Sequence, residues 1–159
     1  MTEYTTLPAS SRIWIYQSTQ PIFSETASEI QKHLQVFVQQ WTAHNQALRA
    51  HGELKHNQFV ILMVDESQAG ASGCSIDKSV HFIQQLEQNY NLSLMDRLNF
   101  AYEKEGAIHT AQKDYFAELY QNGDITDDTI VFDNLVRTKG EFDTGWRKKL
   151  GESWHKRMV

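Results

Sequence analysis

The run Phe59-Val60-Ile61-Leu62-Met63-Val64, closed by Asp65-Glu66, decides how the chain folds. It is apolar without alternation and too short for a typical helix, which predicts a central strand covered on both faces. Asp65 and Glu66 mark its carboxyl end. Residues 67–73, almost all small, lead into an amphipathic helix whose Ile76, Val80, Ile83, Leu86 and Tyr90 share a face, with Ser75 as the expected N-cap. Upstream, Thr26 and Glu29 have capping-box spacing and predict a helix start. Ile30, Leu34, Phe37, Val38 and Trp41 then form one apolar stripe, and the helix is expected to end near His44 or Asn45.

Residues 11–18 alternate, with Ile13, Ile15 and Gln17 on one face and Trp14 and Tyr16 on the other, so they predict a strand that Pro21 ends. Residues 1–10 lack periodicity and read as a flexible arm. Downstream, residues 97–102 and 107–111 read as strands joined across residues 103–106. Residues 114–121 read as a short helix stopped at Asn122-Gly123, and residues 129–136 as a further strand. Trp146, Leu150, Trp154 and Met158 step by four, which predicts a closing helix or two helical turns. The expected fold is an α/β or α+β single-domain sandwich over residues 11–159, with a mixed sheet of about five strands and three to four helices.

At 159 residues one core suffices without a disulfide or metal staple. Fifteen Lys and Arg against twenty Asp and Glu leave a net charge of −5, which argues against a general nucleic-acid binder. Residues 1–12 hold no apolar leader core, and residues 59–64 are far too few to cross a bilayer, so a cytoplasmic location and no membrane span are expected. Cys74, the single cysteine, has no internal disulfide partner.

The strongest chemical constellation is Asp65, Glu66, the small-residue loop with Ser72 and Gly73, then Cys74, Ser75 and Asp77: a buried strand, a loop and a helix start. In α/β sheets ligands sit at that end of the strands, where free helix N–H groups attract anions. A helix N-terminus in general favours a thiolate, which makes Cys74 a candidate nucleophile. His81 is a candidate base, and His44, His109 or His155 could arrive only by folding. In the plainer alternative Gly70 and Gly73 permit a turn, Cys74 fills a gap, and Asp77 is a first-turn carboxylate.

Residues 60–66 also imitate a Walker B strand, but the chain lacks the Gly-x-x-x-x-Gly-Lys-Ser/Thr loop that wraps phosphates, so no ABC-type ATPase is expected. His51 and His56, with Glu53 between them, are one residue too far apart for a zinc helix, and surface loop histidines are expected instead. No metal and no cofactor is expected. Trp14 and Trp41 read as core, whereas Trp154, His155, Lys156 and Arg157 form a candidate partner surface, an aromatic flanked by cations.

Five stretches together carry a family resemblance: Ser11-Arg12-Ile13-Trp14-Ile15-Tyr16-Gln17, Trp41-Thr42-Ala43-His44, residues 59–80, Asp96-Arg97-Leu98-Asn99-Phe100-Ala101-Tyr102, and Ser153-Trp154-His155-Lys156-Arg157. Through them the chain resembles the small Bacteroidetes proteins commonly labelled "ABC transporter ATPase". The resemblance implies a stand-alone domain and carries over no catalytic residue.

Two functions are expected. The leading one is a binding or interaction protein that holds an anion or small polar ligand, or a protein partner, with its ligand site at Asp65, Glu66, Ser72, Gly73, Cys74 and Ser75. The alternative is a hydrolase or acyl transferase with Cys74 as nucleophile, a histidine as base, and Asp65 or Asp77 as orienting carboxylate.

Overall fold

In the computed structural model, which describes residues 1–159, the chain runs β1 (Arg12–Gln17), α1 (Ser24–Gln40), β2 (Thr42–Ala43), β3 (Gln46–Ala47), β4 (Arg49–Lys55), β5 (Phe59–Asp65) and α2 (Gly73–Tyr90). It continues as β6 (Asn99–Lys104), β7 (Ala107–Gln112), α3 (Lys113–Gln121), β8 (Ile130–Phe132), α4 (Lys139–Gly145) and β9 (Arg147–Lys149). Short 3-10 turns lie at Tyr4–Thr6, Leu150–Glu152 and Trp154–Met158.

β5 is buried along its whole length at the centre of a three-stranded sheet of order β1-β5-β4. Side chains alternate across a strand, so its two faces enter different cores. Val60, Leu62 and Val64 join Ile30, Leu34 and Val38 of α1 and Ile83 and Leu86 of α2. Phe59, Ile61 and Met63 meet Ile13 and Ile15 of β1, and across the gap Ala101 of β6 and Phe132 of β8. The Phe59 and Phe132 rings lie 5.1 Å apart. The second sheet, of order β7-β6-β8-β9, turns Phe100, Tyr102 and Val131 outward against Phe116 and Leu119 of α3. The result is a four-layer α+β sandwich: helices, sheet, sheet, helix.

All strand pairs are antiparallel, and β2 with β3 makes a third, two-stranded sheet. The expected single mixed sheet of about five strands is therefore corrected to three antiparallel sheets. An unalternating apolar strand reports cover on both faces but not what supplies it, and here helices cover one face and a second sheet the other.

Local boundaries follow from specific bonds. The Ala27 N–H donates to the Phe23 carbonyl at 2.8 Å, so α1 is already turning before Thr26 and the Thr26/Glu29 capping box does not form. α1 ends at Gln40, earlier than expected, because Trp41 turns extended and His44 and Asn45 take positive φ in the β2–β3 turn. β4 was not anticipated. Helix α1 lies so close over it that a Cβ on Gly52 would stand 3.0 Å from Val38 Cγ1. Residues 1–10 are not loose: the Thr2 N–H donates to the Ala50 carbonyl at 3.0 Å, and Leu7 is buried. The stripe of Trp146, Leu150, Trp154 and Met158 is split over the end of α4 and two 3-10 turns. Gly151 sits against Asp127, where a Cβ would come within 2.9 Å of the Asp127 Cβ. No helix is long and apolar enough to cross a membrane.

Candidate functional site

β8 pairs with β6 through Tyr102 and Val131 alone, because the chain turns away after Phe132. Asp133 builds that turn. Its Oδ1 accepts the Leu135 N–H at 3.0 Å and the Trp154 indole N–H at 2.8 Å, and its Oδ2 accepts Lys148 Nζ at 2.9 Å. Burial opposes ionisation of this carboxyl, but the bonds from Lys148, Trp154 and the Leu135 N–H outweigh it and hold the group below the usual carboxylate range. The first residues of β6 are left without a β8 neighbour, and a cavity of about 460 Å³ opens beside them.

The cavity wall is mostly apolar: Leu94, Leu98, Phe100, Ala101, Phe132, Leu135, Trp154 and Met158. Leu98 and Leu135 are more than half exposed and form its solvent side. Gln17, Asp96, Arg97, Asn99, Asn134 and His155 complete it. Clefts of 470 and 490 Å³ lie elsewhere, but they are lined chiefly by polar and charged side chains, Glu53, Lys55 and Arg147 in one and Gln84, Glu87 and Gln88 in the other.

Hydrogen bonding fixes which way the amides face. The Trp146 indole N–H can only donate, and it does so to Asn134 Oδ1 at 2.9 Å. Asn134 Nδ2 therefore donates to Gln17 Oε1 at 2.9 Å, and Gln17 Nε2 donates to the Asn99 carbonyl at 2.8 Å. From the other side Asp96 Oδ2 accepts Gln112 Nε2 at 2.8 Å, and the same nitrogen stands 3.5 Å from Asn99 Oδ1. The Asn99 side-chain oxygen thus has a donor nearby, while its Nδ2 is buried with no partner. Asn99 as a whole is 8% exposed.

No family model, curated protein or solved structure matches the chain. The cavity therefore stands on its own geometry, which His155 and Arg97 sharpen. His155 is buried, its Nδ1 lies 2.5 Å from Ser153 Oγ, and its ring stacks on Trp154 and meets Phe100 edge-on. Burial lowers its pKa to about 4, with the Asp133 charge pulling upward and the Lys148 charge adding to the fall, so the ring is neutral at pH 7. Arg97 is held at the rim: Nη1 donates to the Ile15 carbonyl at 3.2 Å, and the guanidinium carbon lies 5.6 Å from the Tyr16 ring centre.

The expected ligand-site residues between Asp65 and Asp77, and the candidate base His81, lie outside this cavity. Asp65 is buried at the end of β5, and its oxygens accept the Ser67 N–H at 3.0 Å and Arg49 Nη1 at 2.8 Å. The Ser67 backbone bond is the chief cause of its lowered pKa. Glu66 Oε2 accepts the Ala71 N–H at 2.9 Å. The N-cap of α2 is Ser72, not Ser75: Ser72 Oγ accepts the Ser75 N–H at 3.1 Å, and Ser75 Oγ accepts the Ser72 N–H at 2.6 Å. The serines expected to hold a ligand thus cap each other, with Gly73 between them in open space. Cys74, Asp77 and His81 are all exposed on α2. A rise of about 1.5 Å per residue sets His81 roughly 10 Å along the helix axis from Cys74, beyond hydrogen-bond reach.

The C-terminal group is also divided. His155 is buried, which corrects its place on an exposed surface, and Trp154 turns its indole to Asp133 and the cavity. Lys156 pairs with Asp127 at 2.7 Å, and Arg157 is exposed. His51, expected in a surface loop, is buried in β4. No group of three or more His, Cys, Asp or Glu side chains is arranged to hold a metal ion. Gln17, Arg97, Asn99 and Asn134 were not singled out as site residues. The one signal among them was Gln17, a polar side chain on the Ile13 and Ile15 face.

Proposed function

We propose that this protein binds a small amphipathic molecule in the cavity beside the start of β6. The ligand's apolar body lies against Leu94, Phe100, Phe132 and Met158, and the Asn99 amide, closed to water in the unliganded fold, turns to donate its Nδ2 protons to an acceptor on the ligand. The buried, unpartnered amide of a residue in a mostly apolar wall carries this reading. A buried donor left unmade costs about 1–3 kcal/mol, and a ligand oxygen removes that cost. The volume suits the purpose, since ligand pockets commonly run from roughly 300 to 1,000 Å³. A binding role is supported by the engagement of the wall's proton-carrying groups: both Asp96 oxygens accept hydrogen bonds, from the Leu98 N–H and from Gln112 Nε2. His155 is the wall's one histidine, and its Nδ1 is engaged by Ser153.

Titration of the ¹⁵N-labelled protein with octan-1-ol tests this reading by NMR. Saturable shifts of the Asn99 side-chain amide and the Trp154 indole N–H are expected, together with the backbone signals of residues 94–101. Shifts that do not saturate, or that fall on other parts of the molecule, would overturn it.

A further inference from the structure

The donors of the cavity rim say more about the ligand than that it bears an acceptor. Arg97 and Asn99 are two residues apart, which keeps their Cα atoms within about 7 Å of each other, and both line the cavity. The Arg97 guanidinium is preorganised by the Ile15 carbonyl and the Tyr16 ring, and its bond to that carbonyl uses one of five N–H donors. Asp96 is the only acidic residue of the wall, and it is not the partner of Arg97. Its Oδ1 accepts the Leu98 N–H at 2.9 Å and its Oδ2 accepts Gln112 Nε2 at 2.8 Å. None of the ion pairs in the molecule includes Arg97. The cavity thus offers a fixed, unpaired guanidinium at its rim, an orphaned amide in its wall and an apolar interior.

Resting on the binding role above, we infer that the ligand is a monocarboxylate with an apolar tail, its carboxylate held between Arg97 and Asn99. A planar fork of N–H donors matches a carboxylate, and such charge-assisted bonds are about twice as strong as neutral ones. A hydroxyl headgroup takes the Asn99 proton equally well but gains little from Arg97. The two headgroups therefore separate the inference from the binding role.

Calorimetric titration of the whole protein with octanoate and with octan-1-ol makes the comparison at constant tail length. Octanoate is expected to bind at least about tenfold more tightly, as a charge-assisted pair with a guanidinium that has no other ion partner allows. R97Q is expected to bring the octanoate-to-octanol affinity ratio close to one. R97K keeps the charge and loses the fork, so it is expected to retain part of the preference. If octan-1-ol binds as tightly as octanoate, the carboxylate inference falls and the binding role stands. If neither binds, both fall. An unchanged ratio in R97Q overturns the inference, and should R97Q fail to fold, an unchanged ratio in R97K does the same.

Discussion

The indole nitrogen of Trp146 lies 2.9 Å from Asn134 Oδ1, and that single donor orients the side-chain amides of both Asn134 and Gln17. A tryptophan N–H cannot accept, so Asn134 and then Gln17 have one satisfied orientation each. The relay ends at the Asn99 carbonyl, in the residue whose side-chain amide lacks a partner. The core and the cavity are thus joined by a chain of hydrogen bonds.

Trp146→Phe keeps an aromatic ring against Phe59, Phe132 and Phe142 but removes the donor. Loss of one hydrogen bond and part of the buried ring is expected to cost about 2 kcal/mol. Urea unfolding measures that cost. Octan-1-ol binding should also weaken severalfold, because Asn134 and Gln17 are no longer held in one orientation.

Stability should depend on pH through His155. Its folded pKa of about 4 lies below the ordinary 6.5. As pH falls, the unfolded chain takes up the proton first, so the contribution is complete above pH 6.5 and is lost progressively between 6.5 and 4. A gap of about 2.5 pH units corresponds to roughly 3 kcal/mol. His56, whose pKa burial also lowers, adds a slope of the same sign. Urea midpoints between pH 7 and pH 4.5 should therefore fall steeply in the native protein and less steeply in His155→Gln.

Gly52→Ala should destabilise by about 1 kcal/mol or more, the usual effect of overpacking. The new methyl group meets Val38 Cγ1 at 3.0 Å and Leu62 and Leu34 methyl carbons at 3.4 and 3.5 Å, all in the core between α1 and the first sheet. A β-branched valine in a helix has little rotamer freedom to yield. Combined with Val38→Ala, the substitution should cost less than the two single effects summed. A double-mutant cycle by denaturant unfolding reads that coupling.

These predictions mark where the fold was legible in the sequence. β5 was plain because six consecutive apolar residues leave no solvent face, and α1 and α2 were plain because each carries one apolar stripe. β4 was hidden: Arg49-Ala50-His51-Gly52-Glu53-Leu54-Lys55 mixes charges with a glycine, and it is an edge strand whose last three residues are only half-buried. Gln31 finishes that edge, its Oε1 accepting the Leu54 N–H at 2.9 Å, a contact between distant segments that no local pattern records. The cavity was illegible for the same reason. Gln17, Asn99, Asn134 and His155 come from four separate parts of the chain, and each is ordinary in its own neighbourhood. The strand-loop-helix at residues 65–77 attracted notice because its polar residues are consecutive, yet their hydrogen bonds are largely local.

Cys74 is exposed and lies outside the cavity wall. Alkylation of the native protein with iodoacetamide should go to completion, as intact mass will report. The alkylated protein should bind octan-1-ol with unchanged affinity. Loss of binding after alkylation would return attention to residues 65–77.

In the proposed binding role Asn99 keeps a buried amide for a ligand, at a cost to the empty fold. Asn99→Leu isolates that trade, because leucine is close in shape and removes the unpartnered donor. Unliganded Asn99→Leu is expected to be at least as stable as the native protein in urea unfolding, gaining up to about 1–2 kcal/mol, while its affinity for octan-1-ol falls about tenfold. A variant that loses stability and binds octan-1-ol as before would overturn the role of this amide and make Asn99 a structural residue of β6.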